Sequence, residues 1–497
     1  MCAPFRRRPS KDALLCSDAM YRTPRIVVFL ILCALATFSG CAHKARANAL
    51  AEETGQDIAQ RVIAQTALQN ALNAAQATVA QAIQTPQLQN LSADDLRARF
   101  LRAAKDARWK DAAIYNAFWQ APLDDADGQE AEILLLLAQQ NYRDARTRAW
   151  NLVDAFQHED PRWIPLWYQS YMADPNFWRP VPYDMIRGQD YEKLAKLGGG
   201  STVSLKVLDQ DENILSMIKP HSELGQTYYR GEIAAYRLCE LMQCGFSVPR
   251  NIEVRFKLKE FLRAYGVAAL KNRSQGYARR FSDIIVFEDE KGEPWIHATM
   301  KDWVPGYTTY PIEHVDGWIS LLNGYTPIET LRQMSLEDAL RPMRGKERAY
   351  IPAMLERNQE GTDGLDFARQ LSNLHVFDYL LNNWDRYSGV YWGVNCHWNH
   401  GQFVSIDNGA SFQRRNWGNA VATRTRMRVI RRYSKTTVAA IRAMDKDLTR
   451  ELLFPDNAHH PGEDDRFESF WARRDDFLQW IDELIERRGE AQTLSLP

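Results

Sequence analysis

Apolar positions recur at helical spacing through the first third of the chain. In an Ala- and Gln-rich stretch at 42–90 they follow a heptad pattern, which predicts a helical stalk. The interleaved glutamines do not favour strong coiled-coil association. Residues 91–158 keep the helical pattern, and Ser92 with Asp95 has the form of a capping box that opens a helix. We expect a small helical module at 91–158, which is a candidate site for a protein partner.

The pattern changes near residue 160, after an aromatic- and Pro-rich connector. The stretch at 194–219 predicts three strands joined by turns, and strands continue to alternate with loops up to residue 305. Between them, Tyr229–Leu241 has the pattern of an amphipathic helix. Residues 306–497 are mainly helix and loop, so we predict an α+β fold with a sheet-rich part at 159–305 and a helix-rich part at 306–497. The residues expected on the apolar side of the amphipathic helix are Ile233, Tyr236 and Leu241.

The stretch at 374–412 has the most distinctive pattern. It predicts a helix that ends at two asparagines, a short strand at 390–394, a second strand at 403–406, and the turn Asp407-Asn408-Gly409. Between the two strands, the histidines of CHWNH are predicted to lie in a hairpin loop and not to bind a metal.

Two carboxylates, Asp385 and Asp407, stand at the ends of these paired elements, 22 positions apart. Phosphoryl transfer needs one carboxylate that positions a hydroxyl nucleophile and another that holds a divalent metal ion. We assign Asp385 to the first role and Asp407 to the second, with Mg²⁺ or Mn²⁺ as the metal. The alternatives are a salt bridge between Asp385 and Arg386, and a plain turn at Asp407.

Candidate nucleotide-binding residues precede this stretch. Lys219 ends the predicted strand ILSMIK, and Glu232, 13 residues later on the following helix, can orient it toward phosphates. Before these, Gly199, Gly200 and Ser201 can place backbone amides over phosphates. The alternatives are a surface lysine, a solvated glutamate and a simple glycine turn. A P-loop sequence is absent, which disfavours a Walker-type NTPase.

The sequences FDYLLNNWDR and SIDNGASF, with Lys-Pro at 219–220, EIAAY at 232–236 and Val-Pro at 248–249, resemble one kinase family. This is the atypical secretory-pathway kinase family, which includes the Golgi casein kinase and four-jointed. Similar pieces occur in phosphatidylinositol 4-kinases and HipA-like kinases. The resemblance implies a two-lobed, protein-kinase-like fold that transfers the ATP γ-phosphate to a protein Ser/Thr or sugar hydroxyl. It also implies that the backbone at 300–303 contacts the adenine.

The chain departs from ordinary protein kinases in the catalytic loop. The motif H-R-D-x-x-x-x-N places a metal-binding Asn five residues after the Asp, but here that position is Val390. Asn395 is a tentative replacement as a metal ligand, and Glu232 is another.

The N-terminus predicts export. Met20 is a possible start, because a basic flank and an apolar run at 26–39 follow it, as in a signal peptide. The run is too short to span a bilayer and ends in FSGC, which resembles a bacterial lipobox with Cys41 as the lipidated residue. Because Ala42 is not Asp, we expect an anchor at the outer membrane or the periplasmic face of the cell envelope. The alternative is an ordinary signal peptide.

Composition adds two constraints. The net charge of −1 over 497 residues gives no general case for nucleic-acid binding. If Cys41 carries lipid, Cys239, Cys244 and Cys396 remain in the mature chain, so at most one disulfide can form within it. Cys239 and Cys244 are close enough in sequence to pair, but buried free thiols are favoured.

A basic segment follows the proposed metal site. It can bind an acidic peptide, a charged glycan or a lipid headgroup, or it can pair with the acidic C-terminal helices. Its basic residues are Arg414, Arg415, Arg424, Arg426, Arg428, Arg431, Arg432 and Lys435, and the acidic residues are Asp464, Asp465, Glu468, Asp475 and Asp476.

The sequence therefore predicts an envelope-anchored, ATP-dependent kinase with a hydroxyl acceptor. The alternatives are a pseudokinase or binding scaffold at the envelope, and a phosphatidylinositol-type lipid kinase.

Overall fold

The computed structural model describes residues 91–497, apart from 120, 123, 157–159, 161, 179–180, 183–193, 197–202, 210, 223–227, 264–282, 290, 384, 388–394, 413–417 and 456–461. The described residues belong to one compact unit that begins at Ala82. Several predictions lie outside them. These are the signal peptide with Cys41, the stalk at 42–90, the strand at 390–394, and residues Gly199, Gly200, Ser201, Arg414 and Arg415.

Short helices form the N-terminal part of this unit. The predicted cap is present, since the Ser92 hydroxyl accepts a hydrogen bond from the Asp95 amide at 3.1 Å. The first three helices share a small core in which the rings of Phe100 and Trp119 lie 5.6 Å apart. The next two pack into the main core of the molecule. The helices are α1 Ala93–Lys105, α2 Trp109–Phe118, α3 Ala126–Ala138, α4 Tyr142–Phe156, α5 Trp163–Met172 and α6 Pro175–Trp178.

A mainly antiparallel sheet follows, with the strand order β1-β5-β7-β4-β3-β2 and with β6 paired to β7. The three strands predicted at 194–219 are β2, β3 and β4. The last long strand continues to Asp302, in agreement with the strand predicted to end near residue 305. The strands are β1 Val181–Pro182, β2 Leu194–Lys196, β3 Leu205–Leu208, β4 Ile214–Pro220, β5 Asn251–Lys257, β6 Phe287–Glu288 and β7 Pro294–Asp302.

The register of this sheet separates an apolar face from a polar face. Lys219 on β4 and Glu253 on β5 both lie opposite Thr299 on β7. Because side chains alternate along a strand, Lys301 lies on the same face as these three. The other face is an apolar core that includes Ile218, Ile252, Val254, Ala298 and Met300.

Helix α7, Tyr229–Leu241, has the predicted bounds, and its polar residues are buried together with its apolar ones. Both of its faces are buried, because it lies between the polar face of the sheet and the C-terminal helices. Its charged residues therefore have buried partners. Arg230 pairs with Glu463 at 3.2 Å, and Arg237 donates to the carbonyl oxygen of Leu452 at 2.9 Å.

The remaining helices form a bundle around α12, whose residues are nearly all buried. The α+β class is confirmed, and no helix among the described residues is long and apolar enough to cross a bilayer. The described cysteines Cys239, Cys244 and Cys396 are free and buried, as favoured from the sequence. The helices are α8 Ile319–Leu322, α9 Ile328–Gln333, α10 Leu336–Leu340, α11 Ile351–Glu356, α12 Gly364–Leu381, α13 Gly418–Val429, α14 Lys435–Arg442, α15 Lys446–Leu453, α16 Glu463–Arg488 and α17 Glu490–Thr493.

A second, small sheet has the order β10-β9-β8, with β8 Thr308–Thr309, β9 Cys396–Asn399 and β10 Gln402–Ser405. The predicted second strand is thus β10, but its described partner is β9, which was predicted to be loop. His400 and Gly401 both have positive φ, 48° and 76°, so the hairpin reverses within two residues. His397 consequently lies in a strand, with its ring 4.0 Å from that of Tyr307.

Candidate active site

The strand lysine and the helix glutamate lie in contact. Lys219, next to the end of β4, is almost fully buried, and its Nζ lies 3.3 Å from Oε1 of Glu232 in the first turn of α7. The contact follows from the topology, because α7 connects β4 to β5 and returns across the polar face of the sheet. The alternative of a surface lysine and a solvated glutamate is therefore wrong.

Glu232 joins three parts of the site. Its fully buried carboxylate also lies 3.4 Å from Nζ of Lys301 and accepts a hydrogen bond from the backbone amide of Asn408 at 2.9 Å. Lys301 was not predicted as a site residue, although the sequence places it where β7 was expected to reach the adenine. The signal that identifies it is the strand register, which places Lys301 on the same face as Lys219.

Asp407 lies at the turn after β10 and in the left-handed backbone region, with φ 55°. One of its carboxylate oxygens contacts Nζ of Lys219. Its side chain remains 46% exposed, so the carboxylate can be reached from solvent.

The charges around Asp407 control its ionisation. Partial burial would raise the pKa of the carboxyl, but the charges of Lys219 and Lys301 outweigh this and hold it well below its usual range. Burial would likewise lower the pKa of Lys219, but the charges of Asp407 and Glu232 raise it. The lysine is therefore cationic and Asp407 is anionic at neutral pH.

Asp385 begins a short 3-10 turn, Asp385–Tyr387, just after α12. The helix ends, as predicted, at Asn382, which adopts the left-handed conformation. Burial and the charge of Asp407 raise the pKa of Asp385. The amide nitrogen of Asn395 donates to Oδ2 of Asp385 at 3.1 Å, which opposes this shift. A carboxylate with a raised pKa is suited to accept a proton.

Arg386 is a buried brace that holds the two motif segments together. Its guanidinium pairs with Asp378 of α12 at 2.8 Å and donates to Ser405 at 2.6 Å and to Oδ1 of Asn408 at 2.9 Å. It also donates to the backbone carbonyl of Asn395. The alternative for Asp385 was a helix-terminal salt bridge with Arg386. In the structure the Arg386 guanidinium instead pairs with Asp378 and connects the turns that carry Asp385 and Asp407.

Substitution of Asn395 tests the ionisation of Asp385. Because the Asn395 amide stabilises the ionised carboxylate, Asn395→Ala is expected to raise the pKa of Asp385 further. If Asp385 acts as a base, the acidic limb of the pH profile of kcat/KM moves to higher pH, measured at saturating metal. Gln402→Ala on β10 is the control and should keep the wild-type limb. An unchanged profile in Asn395→Ala would show that Asp385 is not the titrating base.

The oxygen donors suit a hard divalent cation. Asp407, the predicted metal ligand, supplies a carboxylate that solvent can reach. In the part of the chain that the structure describes, no group of three or more His, Cys, Asp or Glu side chains could hold a metal. Mg²⁺ commonly binds through one or two carboxylates, with water and substrate phosphates as its other ligands. A single accessible carboxylate such as Asp407 fits this mode of binding for Mg²⁺ or Mn²⁺.

The basic segment after the site divides into two groups. Arg424 and Arg428 pair with Asp476 of α16, at 2.5 and 3.0 Å, which is the alternative in which the segment pairs with the C-terminal helices. Arg431 and Arg432 donate instead to backbone carbonyls. Arg424 and Arg428 thus share one carboxylate, which offsets one of their two charges.

A scan of the chain against protein-family models and a search of curated proteins gave no match.

Proposed function

We propose that this protein is an ATP-dependent kinase that transfers the γ-phosphate to a hydroxyl group of a protein Ser/Thr residue or a glycan. In this proposal the sheet with α7 is the small lobe of an atypical kinase fold, and residues 306–497 form the large lobe. The segment that follows β7 is the hinge between them. The sequence resemblance to secretory-pathway kinases supports the same assignment.

The convergence of four residues carries the proposal. Lys219, Glu232, Asp385 and Asp407 come from four separate elements. The Lys219 ammonium group links Glu232 to Asp407, and the Arg386 brace aligns the turns that bear Asp385 and Asp407. Lys219 and Glu232 form a buried ion pair, which is expensive to desolvate. A site of this composition is expected where phosphate, metal and a hydroxyl must meet.

Each residue has a role in the proposed reaction. Asp385 accepts the proton of the attacking hydroxyl as the new O–P bond forms and ADP leaves. Lys219 contacts the phosphates, and Glu232 keeps the lysine oriented. Asp407, with Asn395 as a tentative further ligand, holds Mg²⁺ or Mn²⁺, which supplies charge neutralisation at the phosphate oxygens when bound.

The location of the enzyme and the class of its acceptor are proposed from the sequence. The lipobox at Cys41 supports an envelope-anchored protein whose substrates are exported proteins or glycans. A lipid kinase of the phosphatidylinositol type would use the same four residues. Acceptor screening with labelled ATP separates these substrates.

Nucleotide-dependent thermal stabilisation tests the site. The full chain is expected to gain stability from ATP only when Mg²⁺ or Mn²⁺ is present, because the metal joins the phosphates to Asp407. Asp407→Ala should lose this gain, whereas Asp316→Asn, an exposed carboxylate outside the proposed site, should keep it. The absence of any shift with nucleotide and metal would instead support a binding scaffold or a pseudokinase that does not bind nucleotide.

A further inference from the structure

A cavity of about 540 Å³ lies beside the C-terminal end of α7, and its walls also include α4, Arg369 of α12 and the start of α14. Its lining residues differ from the residues of the candidate active site. The volume lies within the range of small-molecule sites in proteins, roughly 300–1,000 Å³.

One wall of the cavity is cationic. Arg143 and Arg146 come from α4, and Arg369 comes from α12. Arg146 pairs with Asp174 at 2.5 Å and Arg369 pairs with Asp366. Within the described ranges Arg143 has no carboxylate within ion-pair distance, so its guanidinium group is available to a ligand.

Arginines outnumber acidic side chains among the described residues of the lining. Glu240 is its acidic side chain, against Arg143, Arg146 and Arg369. Pro497 also borders the cavity, and the Ser434 hydroxyl donates to its carbonyl oxygen at 2.6 Å.

The rest of the wall is aromatic. Trp150, Tyr171 and Phe246 line the cavity and are almost fully buried. The Arg146 guanidinium lies 4.9 Å from the centroid of the Tyr171 ring, so the cationic and aromatic surfaces are continuous. A ligand that fits both surfaces has a negatively charged head and a flat apolar body.

We propose that this cavity binds a small amphipathic anion, in which a carboxylate, phosphate or sulfonate is attached to an aromatic or apolar body. The Arg143 guanidinium contacts the head, and the Trp150–Tyr171–Phe246 wall contacts the body. The cavity reaches the last turn of α7 through Cys239 and Glu240, and the same helix carries Glu232 in its first turn. A ligand in the cavity therefore contacts the helix that carries Glu232, and we expect its binding to change the affinity for ATP. This effect on ATP rests on the proposed function, whereas ligand binding in the cavity does not.

Calorimetric titration of the full chain with 1-naphthalenesulfonate, without nucleotide, tests the binding. This probe carries both chemical features, and it should bind at least about tenfold more tightly than inorganic sulfate or neutral 1-naphthol, each of which carries one. Arg143→Gln should weaken the probe about tenfold, and Arg143→Lys should restore part of the affinity. Arg99→Gln, an exposed arginine on α1, is the matched control and should leave the probe affinity unchanged.

Two results would overturn the site: no measurable binding of the naphthalenesulfonate, or equal binding to wild type and Arg143→Gln. Because Arg143 is exposed and lacks an ion pair among the described residues, its substitution is not expected to unfold the protein. The link to α7 is tested by titrating ATP and metal with and without the probe. A change in ATP affinity supports the link, and an unchanged affinity refutes it while leaving the binding result intact. A protein that binds the probe but never ATP refutes the kinase proposal alone.

Discussion

Replacement of Glu232 by Ala is expected to lower the free energy of unfolding by about 3–5 kcal/mol, the usual cost of removing one partner from a buried ion pair. The carboxylate is fully buried and contacts Lys219 and Lys301 at 3.3 and 3.4 Å. Without it, Lys219 keeps Asp407, but Lys301 loses the carboxylate that the structure places beside it. The Asn408 amide also loses its acceptor. Denaturant unfolding monitored by tryptophan fluorescence measures this loss.

An exposed ion pair gives the matched control. Glu468 on α16 pairs with Lys446 at 2.9 Å, but both side chains are largely exposed to solvent. Glu468→Ala should therefore cost less than about 1 kcal/mol. Glu232→Gln keeps an acceptor for the Asn408 amide but removes the negative charge. Its loss in the free energy of unfolding should therefore lie between those of Glu232→Ala and Glu468→Ala. A loss below about 1 kcal/mol in Glu232→Ala would contradict the buried arrangement.

Local periodicity was sufficient to predict the elements that carry the site. The helix Tyr229–Leu241, the three strands before it and the end of α12 near Asn382 were all read from residue patterns. These features depend on neighbouring residues, such as alternating apolar positions or a break at Asn382. The same patterns placed Lys219 near the end of a strand and Glu232 on the next helix, and the resemblance to secretory-pathway kinases then predicted that the two side chains pair.

The environment of the charged residues was not predictable in the same way. Residue patterns indicated that α7 was amphipathic because charged residues usually face water. In the fold Arg230 and Glu463 neutralise each other across more than 200 positions of sequence. Similarly, Arg386 follows Asp385 directly, yet it braces Asp378, Ser405 and Asn408. Long-range partners decide whether a charge is buried, and a single sequence does not reveal them.

The prediction of strand pairing was wrong for a related reason. The pattern at 403–406 identified β10, but the interpretation of CHWNH as a loop missed β9. The turn between the strands consists of His400 and Gly401, and a non-glycine residue with positive φ gives little signal in the sequence. Lys301 was missed because its importance comes from the register of β7 against β4, which aligns it with Lys219.

Substitution of the two aspartates should separate catalysis from stability. Asp385→Asn is expected to lower phosphoryl transfer by about 10²–10⁴-fold, the range attributed to a positioned general base. Asp407→Asn should abolish metal-dependent transfer. The two variants should nevertheless change stability in opposite directions when unfolding is measured without metal or nucleotide.

The signs follow from the pKa shifts. The pKa of Asp385 is raised in the folded state, chiefly by burial, so its ionised form destabilises the fold at pH 7. Asp385→Asn removes that cost and should raise the Tm. The gain should disappear below the unfolded-state pKa of about 4, where the carboxyl is protonated in both states.

The pKa of Asp407 is instead lowered, because the charges of Lys219 and Lys301 outweigh burial. Its carboxylate stabilises the fold above the unfolded-state pKa, and this contribution is lost as the pH falls through the folded-state value. Asp407→Asn should therefore lower the Tm at pH 7. If Asp385→Asn lowers the Tm together with activity, Asp385 is a structural residue and the catalytic assignment fails. If both variants keep full transfer, these carboxylates do not form the active site, because phosphoryl transfer without either group would need another base and another metal ligand.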